Sequence, residues 1–86
     1  MIEAGAIYKD KYNEKLVVVT RVEEHDEVLM IHTINEEMEV ERFACMKSDA
    51  DETLTNFKTL EFVKQSEPSS AVRALFGCGE TVLKEI

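Results

Sequence analysis

The apolar positions of this chain gather in three runs separated by short polar breaks. Leu16 to Val22 holds four valines and a threonine in seven residues, and side chains branched at Cβ stiffen the backbone toward strand. Val28 to Ile34 is a second such run and Met38 to Ala44 a third. Glu23, Glu24, His25 and Asp26 lie between the first two, and Asn35, Glu36 and Glu37 between the second and third. Breaks this short join antiparallel neighbours, so the pattern predicts a three-stranded meander.

Leu16, Val18 and Val22 alternate with Val17 and Val19, and Val28 and Met30 with Leu29 and Ile31. Strands apolar on both faces are covered on both. That requires a sheet curled into a small barrel, or one face packed on the C-terminal segment and the other on the N-terminal one. The third strand sets Glu39 and Glu41 on one side, about 6.8 Å apart, and so has a wet face. Upstream, Gly5 to Tyr8 precede a charged stretch, Lys9 to Asn13, that reads as a loop. Downstream, Ser48, Asp49, Asp51 and Glu52 are placed to cap and charge a short helix through about Phe57. Thr59 to Lys64 then alternates as a last strand, and one helix from Asp51 to Lys64 is the competing reading.

After the linker-like Glu67 to Ser70, the residues Val72, Leu75, Phe76, Val82, Leu83 and Ile86 recur at helical spacing with Gly79 on the same face. This predicts a helix from about Ser69 to Glu85 capped by Ser69 or Ser70, or two short helices broken at Gly77 to Gly79. One domain is expected for 86 residues, with residues 1–66 as the β unit and 67–86 as a helical segment packed on it. The order of elements, with Gly5 and Tyr8 opening it, resembles small SH3-like β-barrels of bacterial or phage type over roughly residues 5–64. The expected class is therefore mostly β (α+β), an SH3-like barrel or antiparallel meander with a C-terminal helix.

Charge sharpens the picture. The formal net charge is -8, and residues 23–52 hold eleven acids against Arg42 and Lys47. Such a block repels nucleic acid and anionic lipid and attracts a basic partner. Glu23, Glu24, Asp26, Glu27, Glu36, Glu37, Glu39 and Glu41 are the candidate partner-binding surface; the bland reading is a solvated sheet face guarded by charge. Val72, Leu75, Phe76, Gly79 and Val82 form either a helix face completing the core or a homodimer seam.

Little in the chain points to chemistry. His25 reads as a solvated turn residue and His32 as a core-edge histidine bonded to backbone. Cys45 and Cys78 read as ordinary thiols, because 33 positions separate them where zinc ligands come in local pairs. No phosphate-cradling glycine loop or nucleophile elbow is present. No cofactor, metal, membrane or direct nucleic-acid contact is expected, and a cytoplasmic address is the default. The function expected is a non-catalytic acidic protein-binding module, by analogy of size and charge a phage-encoded inhibitor or adaptor. A DNA mimic and an oligomerising structural subunit are the alternatives.

Overall fold

The computed structural model describes residues 2–75. Five strands, β1 (Ala6–Asp10), β2 (Leu16–His25), β3 (Val28–Asn35), β4 (Val40–Met46) and β5 (Leu60–Gln65), form one antiparallel sheet in the order β4-β3-β2-β1-β5. Between β4 and β5 runs a helical stretch made of a 3₁₀ turn (Lys47–Asp49), a single α turn, α1 (Ala50–Glu52), and a wide π turn (Thr53–Phe57). Helix α2 (Pro68–Arg73) follows β5. β4 and β5 are the two edges of the sheet. The chain therefore builds the open meander and not the closed barrel.

Both faces of the central strands are covered, as their unbroken apolar runs require. On one face Tyr8, Val19, Leu29, Ile31 and Leu60 pack with Ala50 and Leu54 of the helical stretch and with Ile2. On the other, Ile7, Leu16 and Val18 pack with Ala71 of α2. A register shift between Val19 and Arg21 changes the expected alternation. The bulge inserts one residue into β2, so Val22 packs with Val17 and Val19 instead of sharing a face with Leu16 and Val18.

Four further boundaries differ from the sequence reading. β1 lies within the stretch expected to begin a loop at Lys9, because β2 and β5 pair on either side of it. β2 continues through Glu23, Glu24 and His25, which ladder with Met30, Leu29 and Val28, leaving only Asp26 and Glu27 as the turn. β4 starts at Val40, not Met38, since the preceding loop is held by Asn35 and carries Met38 at φ 65°. Residues 51–64 follow the reading of a short helical stretch plus strand and not the single helix, but no side chain caps either the α turn or α2. In α2 the start is set by Pro68 at the first helical position after extended Glu67, where its fixed φ and missing N–H carry no penalty. Ser69 and Ser70 lie inside the helix. Its expected continuation to Glu85, including Gly77 and Gly79, falls outside the described residues.

Among the described residues no helix is long and apolar enough to cross a membrane.

Candidate functional site

The sheet divides the eight candidate acids between its two ends. β3 runs from the β2–β3 turn to the β3–β4 loop, about 23 Å at the rise of a strand. Glu23, Glu24, Asp26 and Glu27 lie at the first end, and Glu36, Glu37, Glu39 and Glu41 at the second.

At the first end the turn is tight: His25 pairs with Val28 and Asp26 takes φ 57°, a left-handed geometry Asp tolerates better than most residues. Lys47 donates its backbone N–H to the Glu27 carbonyl at 2.8 Å, which brings the 3₁₀ turn and Asp49 alongside. Glu24 pairs with Lys47 at 3.1 Å. Glu23 accepts from Nε2 of His32 at 2.9 Å and pairs with Arg21 at 2.9 Å. The His32 hydrogen bond is the largest cause holding the Glu23 carboxyl below the ordinary glutamate range; burial opposes it, and the charges of Arg21, His32 and His25 each add a lesser lowering. His32 thus bonds a carboxylate and not the backbone expected of it. The side chains of Asp26 and Glu27 form no hydrogen bond or ion pair among the described residues, and both are exposed.

At the second end the carboxylates are engaged. Glu36 accepts the Leu16 backbone N–H at 2.6 Å, and Glu37 pairs with Lys15. Asn35 organises the loop: its Oδ1 accepts from the backbones of Glu37 and Glu39 at 2.9 and 3.0 Å, and its Nδ2 donates to the Glu39 carboxylate at 3.2 Å. Glu41 pairs with Lys58, whose ammonium sits 4.7 Å from the centroid of the Phe43 ring, within cation–π range. Glu39 precedes the strand and Glu41 lies in it; both are exposed, and both line one cleft.

Beside Glu41 a cleft of about 290 Å³ opens on the face carrying Phe43. Val17, Thr33, Phe43 and Leu60 line it from four strands, with Asp10, Glu39, Glu41 and Lys58 around them. Thr33, 4% exposed, is the buried polar residue of the described core. Its hydroxyl makes no hydrogen bond among the described residues and keeps access to solvent, since none of their buried side-chain oxygens or nitrogens lacks a partner. No reading of the sequence singled out Thr33, and a lone threonine in a strand gives no local signal.

A second cleft, about 370 Å³, is lined by Ile2, Tyr8, Asp51, Thr55 and Phe62. Tyr8 meets Phe62 edge to face at 5.6 Å, and burial, then the Asp51 charge, raises the pKa of its phenol. Cys45 is a free, half-buried thiol whose pKa is raised by burial and by Asp49, which keeps it in the less nucleophilic form. No group of three or more metal-ligating side chains is gathered among the described residues.

Of the helix-seam candidates, Val72 and Leu75 are half-buried against the sheet face of Ile7, Leu16 and Val18. Phe76, Gly79 and Val82, like Cys78, lie outside the described residues. Comparison of the chain with protein families, with curated proteins and with solved structures finds no match.

Proposed function

We propose that this protein is a non-catalytic acidic binding module that docks on a basic surface of another protein, led by the β2–β3 end of its sheet. The observation that carries the reading is the pair of uncommitted, exposed carboxylates at Asp26 and Glu27. They stand at the tip of a hairpin whose arm carries Glu23, paired with Arg21 and His32, and Glu24, paired with Lys47. Charge free of internal partners acts outward, speeding encounter with a basic partner and fixing its orientation. An inhibitor or adaptor needs no more than this.

A DNA mimic is less favoured. It requires a row of free negative charges standing in for phosphates, and six of the eight candidate carboxylates already have hydrogen-bond or ion-pair partners within the molecule. The oligomerising subunit is less favoured as well, since Val72 and Leu75 are spent on the module's own sheet.

The test is affinity capture from a cell lysate by the wild type and by the double variant Asp26→Lys, Glu27→Lys, at low salt and at about 0.5 M, where the Debye length falls severalfold. A basic protein held by the wild type at low salt, and lost both at high salt and with the variant, is the expected result. Equal capture by the variant would show that the hairpin tip is not the docking surface. Displacement of that protein by duplex DNA would restore the mimic reading.

A further inference from the structure

We propose that β4, one edge of the sheet, pairs antiparallel with β4 of a second copy of this chain about a two-fold axis at Phe43, joining the two sheets into one. The inference goes beyond the docking reading and is independent of it, since it uses neither the hairpin tip nor the residues of α2.

The backbone of β4 is open to such pairing. The strand pairs with β3 from Val40 to Met46 without a register break, and among the described residues no strand lies on its other side. The bonds at its two ends set which groups point outward. Asn35 donates its N–H to the Glu39 carbonyl at 3.1 Å, and Lys47 donates its N–H to the Glu27 carbonyl at 2.8 Å. The odd-numbered residues therefore bond inward to β3, and Val40, Arg42, Ala44 and Met46 direct their N–H groups away from it. The opposite edge is different. β5 is bulged against Ile7 and Tyr8 and carries Lys64, two devices that discourage edge pairing; β4 has neither a bulge nor a proline.

The side chains of β4 select a second copy as the occupant, because the strand is complementary to itself. An axis at Phe43 sets residue 40 opposite residue 46 and uses the whole strand. Val40 and Met46, 72% and 43% exposed, then cover each other across the join. Phe43 meets Phe43 of the second copy, an aromatic cross-strand pair, and Glu41 lies opposite Cys45. Just beyond the strand, Glu39 stands opposite Lys47. No like charges face one another in this register. Moving the axis to Arg42 would oppose the two arginines, and moving it to Ala44 would run Val40 against Ser48 of the 3₁₀ turn. A two-fold pairing is closed, so assembly stops at two copies and leaves only the guarded β5 edges outside.

The experiment is sedimentation equilibrium of the full, reduced chain over a range of concentrations, with amide hydrogen exchange on the same samples. A monomer–dimer equilibrium is expected, with added protection on dimerisation at the amides of Val40, Arg42, Ala44 and Met46. Each copy carries a formal charge of -8, which opposes association. The dimer should therefore tighten as salt rises from about 0.05 M to about 0.5 M, the reverse of the salt dependence expected for docking on a basic partner. Val40→Lys with Met46→Lys sets like charges opposite at two exposed positions while bringing the net charge closer to zero. It should leave the chain monomeric with its circular dichroism unchanged. Glu41→Cys under mild oxidation should link to Cys45 of the second copy, as facing residues of a non-hydrogen-bonded pair stand about 4.5 Å apart at Cα. Adding Cys45→Ser should abolish that link, and Glu61→Cys on β5 should not form it.

A wild type monomeric at every concentration, a dimer that survives the double lysine substitution, protection that misses the four outward amides, or a Glu41→Cys chain that does not link to Cys45 would each overturn the proposal. None of these results bears on capture by Asp26 and Glu27, so the docking reading and the paired edge fail separately.

Discussion

Replacing Gly5 with alanine tests the joint that holds β1, β5 and the start of α2 together. Gly5 has φ 93°, a conformation that costs an L-residue about 1–2 kcal/mol. Its backbone N–H donates to the Val19 carbonyl at 2.7 Å, and its carbonyl accepts from Ser66 at 3.0 Å. A Cβ built on Gly5 would stand 2.0 Å from the Ser66 carbonyl oxygen and 2.9 Å from its carbon. These are backbone atoms and cannot rotate away, so the chain must part there. Losing two backbone hydrogen bonds costs about 1 kcal/mol each, and with the φ penalty the total is about 3–4 kcal/mol. Against the 5–15 kcal/mol typical of a domain, this is a large fraction. Urea denaturation followed by circular dichroism reads it directly: with a slope of about 1 kcal/mol/M for a small domain, the midpoint should fall by about 3 M or the variant should be unfolded at the outset. Ser66→Ala is the control, because the contact is with the Ser66 carbonyl and not its side chain; it should stay within about 0.5 kcal/mol of wild type. A Gly5→Ala midpoint within the spread of that control would refute the reasoning.

Two further predictions follow from the two ends of the sheet. Asn35→Ala removes the acceptor of the Glu37 and Glu39 backbone N–H groups and should destabilise by about 1–2 kcal/mol, with faster hydrogen exchange confined to the β3–β4 loop; exchange unchanged at Glu37 and Glu39 would show that the loop holds without it. Because the folded-state pKa of Glu23 is lowered from the ordinary 4.5, its contribution is present above that value and is lost as pH falls through the lower folded one. The wild type should therefore lose stability toward acid more steeply than Glu23→Gln between about pH 5 and pH 3, the region at and below a normal glutamate pKa, and superimposable stability profiles for the two proteins would remove the His32 and Arg21 contacts as the cause.

The fold was legible where composition and covering agree. Val17, Val18 and Val19 lie in a central strand with both faces packed, so the run of branched side chains was sufficient to announce it. β1 was not legible, because Lys9 and Asp10 are polar and half-exposed, and their extended form is imposed by pairing with β2 on one side and β5 on the other. Glu23 to His25 misled for the opposite reason. Their polarity suggested a turn, yet they keep the ladder with Met30, Leu29 and Val28, Glu23 half-buried and Glu24 and His25 exposed. The bulge after Val19 left no mark in the sequence at all. Nor did the cleft, whose lining from Asp10, Val17, Thr33, Phe43 and Leu60 is drawn from every strand of the sheet and exists only once the sheet is assembled.

The acidic block, one feature in the sequence, becomes two in the structure, and their separation governs how charge can act. About 23 Å of strand is more than two Debye lengths at physiological ionic strength, about 8 Å each, so the ends present nearly independent fields to a partner. They also differ in kind. At the hairpin tip Asp26 and Glu27 have no internal claims on their charge among the described residues, and such carboxylates steer. At the other end Glu36, Glu37, Glu39 and Glu41 are tied to Leu16, Lys15, Asn35 and Lys58; charge compensated locally contributes little at a distance and serves instead to shape the loop. A partner docking at the tip should then show an association rate that falls with salt and with reversal of Asp26 and Glu27, and that is little changed by substitutions at Glu36 and Glu37. If reversal at the tip changed only the dissociation rate, the steering role of Asp26 and Glu27 would be wrong, because a group that acts through its long-range field must act before contact is made.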